Sequence, residues 1–494
     1  MSGYRISLVV PIYGVEKYIR QFAESALGQT YQDLQFVFVN DGSKDRTYPE
    51  LKKLGYKQTD LVGKDGIEKA YESHLRGIDG SKTTETTVTG KTTTVLYEEP
   101  PVLGKNCVLT IDLKMQEAAE AALAETVPRL RREGATNSRW GGADAKGAAV
   151  VAIDVKTGGL LVSASYPTYD ISQYSKNYNA MKNDKNLPMF NRAIQGAYPP
   201  GSTFKMITAV AGLEENIIEP KEKMLTTGKY MYYAPSTTPM CDIFRQYGKT
   251  HGEIDVAEAI KVSCNYFFYD IGDRLTMDQI DAVAKGFGLG EKTGIELDEA
   301  VGMRANAENK AKLYTGAMAS WGVGDKMNAA IGQSENRFTP LQMCVYVATV
   351  ANKGVRMKAT FLNRVVASDY RTLILENEPT VASTLKMSNA TYSTIVQGMK
   401  QVITGPSGTA RNTMTNMSVE VAAKTGTAET GRLGSDDGSF VCFAPVDNPE
   451  IAIAVFGEKA AHGSTLGRVA RAVIEYYFYQ AQASAVNTYE NQIA

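Results

Sequence analysis

Three short motifs in this chain carry hydroxyl and amine groups at spacings that suit acyl transfer. In the first, Pro199 to Lys205, Ser202 stands three residues before Lys205 and is followed by an apolar run, Met206–Leu213. The run predicts a helix that begins near Ser202, and residues three positions apart share a helix face. We expect partial burial to lower the pKa of Lys205, which makes a neutral amine available as a base. The alternative is that Ser202 only caps the helix.

The second motif is Ser263-Cys264-Asn265. It follows an amphipathic helical stretch, Ile254–Val262, and precedes a cluster of aromatic residues, Tyr266–Phe268. Such a cluster would hold the motif rigidly, as a functional site requires. We interpret Cys264 as a small buried side chain.

The third motif, Lys424-Thr425-Gly426-Thr427, is predicted at the end of a strand, Val419–Ala423. Strand alternation would place Thr425 and Thr427 on one side and Lys424 on the other. On an edge strand the long lysine stem can still reach the shared rim. Gly426 removes a side chain where the backbone of a substrate would approach. The alternative is a solvated lysine in a turn.

Each motif also occurs elsewhere in the sequence. Other copies include Ser383–Lys386 for the first motif, Ser175–Asn177 and Ser334–Asn336 for the second, and Lys292–Gly294 for the third. We predict that these copies are chance matches, because none has the helix or strand context of the first three.

Composition excludes several classes of protein. The 53 basic and 54 acidic residues give a net charge of −1, which offers no reason to expect a nucleic-acid partner. The five cysteines and three histidines show no ligand spacing, so we expect neither a disulfide framework nor a metal centre. No apolar run reaches the about 18 residues of a membrane span. The apolar start, Ile6–Pro11, is too short for a signal peptide, so we expect no anchor or export signal.

Periodicity predicts an α+β fold. Five strands stand near the two ends of one domain, around a largely helical insert over residues 180–415, which predicts an antiparallel sheet covered on its faces. The strands are Ala148–Asp154, Leu160–Ser165, Val419–Ala423, Phe440–Ala444 and Ile451–Phe456. A helix is predicted over Leu113–Arg132, with a kink or break at Pro128.

The first 47 residues differ in character from the rest. Two apolar strands, Ser7–Pro11 and Leu34–Asn40, flank a helical stretch, Val15–Leu27. This β-α-β unit resembles the start of family 2 glycosyltransferases, in which an acid at the position of Asp41 holds the nucleotide. Gly14 and Asn40 depart from that family's usual Asn and Asp, and no D-x-D pair follows. A lone unit buries too little surface to be stable or active, so we expect an inactive fragment.

The order and spacing of the three motifs resemble those of class B penicillin-binding proteins, the D,D-transpeptidases of cell-wall synthesis. Further stretches with this resemblance include "NRAIQGAYPPGSTFKM" and "IGQSENRFTPLQM". The resemblance implies the penicillin-binding/transpeptidase-like fold, with helices on both faces of the five-stranded sheet. It divides the chain into a glycosyltransferase-like fragment (1–48), a partial pedestal or dimerisation domain (49–103) and a transpeptidase domain (104–484).

The resemblance also implies roles for eight residues. Ser202, Lys205, Ser263 and Lys424 would be catalytic, and Asn265, Thr425, Gly426 and Thr427 would bind substrate. No cofactor is implied. The substrates would be peptidoglycan stem peptides, with β-lactams as covalent inhibitors and cell-wall synthesis proteins as partners, at the outer face of the cytoplasmic membrane. Alternatives are a β-lactamase or β-lactam sensor of the same fold, a nucleotide-sugar glycosyltransferase acting through the first unit, and an idle scaffold.

Overall fold

The chain folds into two compact units, residues 1–108 with 364–376 and residues 109–363 with 377–494. The computed structural model describes two strands, Ile6–Ile12 and Leu34–Asn40, and residues 63, 65–87, 92–137, 141–429 and 434–490. The predicted helix over 15–27 and the candidate acid Asp41 lie outside the described residues.

The smaller unit is built from short strands. Ile6–Ile12 and Leu34–Asn40 pair in parallel, whereas Ser81–Thr86 and Thr92–Glu99 form an antiparallel hairpin. All positions of Thr92–Glu99 are exposed, as its threonine-rich composition predicts. Three further strands form a separate sheet, and two short helices precede the hairpin. These elements are Asn106–Leu109, Leu362–Val366, Leu373–Glu376, Gly66–Ala70 and Glu72–Leu75.

The larger unit contains the predicted five-stranded antiparallel sheet, which confirms the expected fold class. Its strands follow the order Ala422–Ala428, Asp437–Ala444, Ile451–Gly457, Ala148–Asp154 and Leu160–Tyr166. The strand that carries the third motif is therefore an edge strand. Its prediction as Val419–Ala423 was wrong in position, because the strand begins at Ala422 and includes the whole motif. Continuous pairing with Asp437–Ala444 outweighs the low strand propensity of Gly426.

Helices cover the sheet. Leu113–Thr136 and Gly463–Glu490 pack against each other and against the sheet, and Pro340–Ala351 packs against the three central strands. All seven residues of Ile451–Gly457 are buried, as expected for a strand covered on both faces. We predicted a kink or a break at Pro128, and the break was wrong, because the helix Leu113–Thr136 continues past this residue. Val127 and Leu130, which precede and follow the proline in the sequence, are buried, and burial of this helix face offsets a cost of about 3 kcal/mol.

The insert between the sheet strands is mainly helical, as predicted. Its longer helices are Tyr174–Lys182, Lys205–Glu214, Asn265–Arg274, Met277–Gly286, Val323–Ala330 and Asn389–Thr404. Its shorter helices are Asp242–Tyr247, Val256–Val262, Ala307–Leu313 and Arg411–Met414. Two small antiparallel pairs complete it, Met224–Thr226 with Gly252–Ile254 and Val355–Met357 with Val381–Thr384. Among the described residues, no helix combines the length and apolarity needed to span a membrane.

Candidate active site

Ser202 lies in a tight turn and not at the cap of an α-helix. Residues Gly201–Phe204 form a 3₁₀ turn, and the α-helix begins at Lys205. A 3₁₀ turn has three residues per turn, so Ser202 and Lys205 still lie on the same side. Within the described part of the chain the Ser202 hydroxyl caps no helix, which removes the alternative that this serine only caps the helix.

The turn that holds Ser202 packs directly on the edge strand Ala422–Ala428. Gly201 has φ 55°, and its N–H donates to the Gly332 carbonyl at 3.0 Å. A Cβ on Gly201 would lie 2.4 Å from the Thr427 carbonyl oxygen. Only glycine fits this approach, which brings the Ser202 backbone beside that of Thr427.

Ser263 ends the helix Val256–Val262 in a conformation that usually requires glycine. Its φ is 56° and its ψ is 43°, in the left-handed region. The Ser263 N–H donates to the Ile260 carbonyl, and the Cys264 N–H donates to the Ala259 carbonyl, which is the Schellman pattern. For a residue with a side chain this conformation costs roughly 1–2 kcal/mol. The helix end thereby holds the Ser263 backbone in a strained conformation, which sets the direction of its side chain.

The Lys205 amine is the centre of the site. The side chain is completely buried, and Nζ donates to the Ser263 carbonyl at 2.8 Å and to Ser263 Oγ at 3.2 Å. A third bond reaches Asn265 Oδ1 at 2.5 Å. These three acceptors match the three N–H groups of an ammonium ion. Burial opposes that charge and lowers the pKa of Lys205, although Cys241, Asp242 and Cys264 partly offset the shift.

Lys424 approaches the same serine from the edge strand. Its side chain is also completely buried, and Nζ donates to Ser263 Oγ at 2.9 Å and to the Thr425 carbonyl at 2.8 Å. Burial holds the pKa of Lys424 well below its usual range, and the positive charge of Lys205 lowers it further. The sequence predicted that the Lys424 stem reaches from the edge strand toward the rim of the site. The hydrogen bond from Lys424 Nζ to Ser263 Oγ shows this reach. Two lysines thus share one hydroxyl.

The rest of the third motif lies along the edge strand. Thr425 is 8% exposed, and its Oγ1 lies 2.7 Å from Thr409 Oγ1. A Cβ on Gly426 would lie 2.1 Å from Ser439 Oγ and 2.7 Å from the Pro200 carbonyl oxygen. The glycine therefore permits close packing of the strand on the Ser202 turn. Thr427 is partly exposed beside that turn.

Behind the second motif, two thiols and an imidazole converge. Cys241 Sγ lies 3.9 Å from Cys264 Sγ and 3.8 Å from His251 Nδ1, and one ligand atom from each residue falls within 4.8 Å of the others. Contact with the Cys264 thiol lowers the pKa of Cys241, whereas the same contact and burial raise that of Cys264. Thiolate and imidazole are zinc ligands. The expectation of no metal centre was based on sequence spacing, and folding brings together three donors that such a centre could use.

The fold thus gathers the residues predicted from the sequence. Lys205, Ser263, Asn265 and Lys424 form one hydrogen-bonded cluster. The turn containing Ser202 packs against Thr427. Sequence reasoning missed Thr409 as part of this region and did not connect Cys241 and His251 with Cys264. The one local signal was Gly408 before Thr409, which marks a loop but not its contact.

Comparisons with known proteins agree with this geometry. The model of the penicillin-binding protein transpeptidase domain matches residues 148–475, and that of the penicillin-binding protein dimerisation domain matches residues 17–109. The second match begins inside the segment that resembles glycosyltransferases. A peptidoglycan D,D-transpeptidase named MrdA from Haemophilus influenzae is 32% identical over 472 residues, covering 90% of this chain and 67% of that protein.

Two solved structures are similar at 29% identity. One comes from a study of a peptidoglycan synthase complex and has a TM-score of 0.74. The match covers 85% of this chain and 71% of the chain in that structure. The other is Pseudomonas aeruginosa PBP2 in complex with WCK 5153, with a TM-score of 0.68, and covers 85% of this chain and 84% of its own. The chain spans about two thirds of the length of the curated relatives it matches.

The serine and lysine cluster beside an antiparallel edge strand defines a class of serine acyl-transferases. Within that class, the chain belongs to the class B penicillin-binding proteins, the family of serine-type D,D-transpeptidases.

Proposed function

We propose that Ser202 is the nucleophile of a peptidoglycan D,D-transpeptidase reaction, in which this chain links neighbouring stem peptides. The observation that carries the proposal is the convergence of Lys205 and Lys424 on the Ser263 hydroxyl beside the Ser202 turn. Within this hydrogen-bonded group, Lys205 supplies a base, Ser263 a proton relay and Lys424 a second amine.

In the first step, the Ser202 oxygen bonds to the carbonyl carbon between the two terminal D-alanines. Burial lowers the pKa of Lys205, so its neutral amine can take the serine proton. The carbon–nitrogen bond then breaks, and the departing amine receives a proton from the Ser263 hydroxyl. Ser263 regains a proton from the lysines that contact it. An acceptor amine reverses these steps and releases Ser202.

The edge strand would bind the substrate. Asn265 would hold the substrate amide, and Thr425 and Thr427 would hold its terminal carboxylate. Gly426 lets the strand approach the Ser202 turn, so that the N–H groups of Ser202 and Thr427 can stabilise the oxyanion. Each such donor contributes about 3–4 kcal/mol in enzymes where one was removed. A β-lactam resembles the D-alanyl-D-alanine end and would leave a stable acyl group on Ser202.

Residues 49–103 would then be part of a pedestal domain and residues 104–484 the transpeptidase domain. The similarity to a structure from a peptidoglycan synthase complex supports cell-wall synthesis proteins as partners. The similarity to named D,D-transpeptidases supports work at the outer face of the cytoplasmic membrane, where peptidoglycan is cross-linked.

Covalent labelling with fluorescent penicillin tests the nucleophile. We expect the Ser202→Ala variant to lose labelling, while Ser383→Ala, in the other Ser-x-x-Lys copy, labels as the unaltered chain does. Labelling that survives in Ser202→Ala and disappears in Ser383→Ala would overturn the assignment. Two measurements separate the β-lactamase alternative from a transpeptidase. Intact mass should show one acyl group kept per chain for a transpeptidase. A β-lactamase would instead turn over a chromogenic β-lactam rapidly.

A further inference from the structure

Thr409 brings a hydroxyl from outside the three motifs to the edge strand. It lies in the loop between the helices Asn389–Thr404 and Arg411–Met414. Its Oγ1 is 2.7 Å from Thr425 Oγ1, and either oxygen can be the donor. No other side-chain bond of Thr409 occurs within the described residues. The pair is therefore an isolated two-hydroxyl chain that ends on the strand.

The loop does not need the Thr409 hydroxyl to keep its shape. The Gly408 N–H donates to the Gly405 carbonyl at 3.0 Å, and the Ala410 N–H donates to the Val402 carbonyl at 3.0 Å. A Cβ on Gly408 would lie 2.4 Å from the Val402 carbonyl oxygen, so the loop packs tightly on the end of the helix. Backbone bonds on both sides of Thr409 thus fix the position of its side chain.

Proton counting then sets the direction of the bond. A threonine hydroxyl has one proton to donate and two lone pairs that accept. If Thr425 donates its proton to a substrate carboxylate, it has none left for Thr409. Thr409 must then be the donor, and the chain runs from Thr409 through Thr425 to the anion. Hydrogen bonds that point the same way polarise one another, so the first strengthens the second.

We propose that Thr409 is a positioning residue. It acts through Thr425, which binds the substrate's terminal carboxylate. The inference rests on the proposed function, because it needs a carboxylate at Thr425. Thr409 does not touch the anion itself. It fixes the Thr425 rotamer and leaves the Thr425 proton free for the anion.

Two probes separate this role from a structural one: a β-lactam with a free carboxylate and the methyl ester of the same β-lactam. For Thr409→Val, a near-isosteric change, we expect the second-order acylation rate to fall about fivefold to tenfold with the free acid, the size of one lost hydrogen bond. With the ester we expect no change. Thr409→Ser should restore the rate with the free acid, because it keeps the donor.

Matched controls complete the test. Thr404→Val removes a hydroxyl that bonds only within its own helix, at the Lys400 carbonyl, and should leave both rates unchanged. In a Thr425→Val background, Thr409→Val should cause no further loss. An equal fall with both probes, or no fall with the free acid, would overturn the role of Thr409. Neither outcome touches the nucleophile, which Ser202→Ala tests separately.

Discussion

The tripeptide Lys-Thr-Gly occurs three times in this chain, at residues 156–158, 292–294 and 424–426, and the last two copies have different surroundings. In the edge strand, Lys424 is completely buried and reaches the Ser263 hydroxyl at 2.9 Å. In the loop copy, Lys292 is exposed, and the N–H and hydroxyl of Thr293 both donate to the Glu299 carboxylate at 2.8 Å. The loop copy therefore binds a carboxylate of its own chain, whereas the strand copy presents its groups beside the Ser202 turn.

The difference shows that three identical residues acquire their chemistry from the element that carries them. An edge strand pairs on one side and leaves its other side open, while the sheet buries the lysine stem. A loop satisfies its polar groups locally, as the Gly294 N–H also does with Glu299 at 3.1 Å. Three predictions test this contrast, from the largest expected effect to the smallest.

Removing the lysine amine should slow acylation only when the lysine is that of the strand copy. Lys424→Met keeps much of the buried stem but removes the group that bonds to Ser263. We expect β-lactam acylation to slow by about 10²–10⁴-fold, the usual loss when a proton-transfer group is removed. Lys292→Met should acylate at the unaltered rate. Stopped-flow acylation with thermal unfolding as a folding check measures both, and equal rates for the two variants would remove the contrast.

Removing the threonine hydroxyl should affect stability in the loop copy. Burial raises the pKa of Glu299, and the bonds from Thr293 and Gly294 oppose that rise. Thr293→Val leaves a half-buried carboxylate short of one donor, which should lower the free energy of unfolding by about 1–3 kcal/mol. Its acylation rate should not change. Denaturant unfolding and acylation rates of Thr293→Val and Thr425→Val check this. The Thr425→Val variant should lose acylation but keep nearly all of its stability.

Two of the three Ser-x-Asn copies, at Ser263 and Ser334, extend the comparison to the backbone. Ser263 and Ser334 both have left-handed φ, 56° and 61°. Glycine removes the strain that alanine keeps, so at each position the glycine variant should be more stable than the alanine variant by about 1 kcal/mol. Only at Ser263 should either variant lose acylation. A glycine variant at Ser263 that still acylates normally would show that the hydroxyl is not needed.

The periodic parts of the fold could be predicted from the sequence. Apolar runs of strand length predicted four strands of the sheet at their observed places and the fifth, the edge strand, near its observed start, because burial on both faces leaves a local pattern. The end of the edge strand and the course of the helix through Pro128 could not be predicted. Both depend on pairing or packing with distant segments, which outweighs the local preferences of glycine and proline.

For the candidate site, local context favoured Ser202, Ser263 and Lys424 over the other copies of their motifs, and their roles stay a prediction. By itself, the sequence determined residue types, strand and helix context, and the family resemblance. Only the tertiary structure decided that two lysines meet at one hydroxyl, that Thr409 lies against Thr425, and that Cys241 and His251 lie beside Cys264. These contacts join segments far apart in the chain, and no local pattern records them because the packing of the folded domain alone fixes their distances.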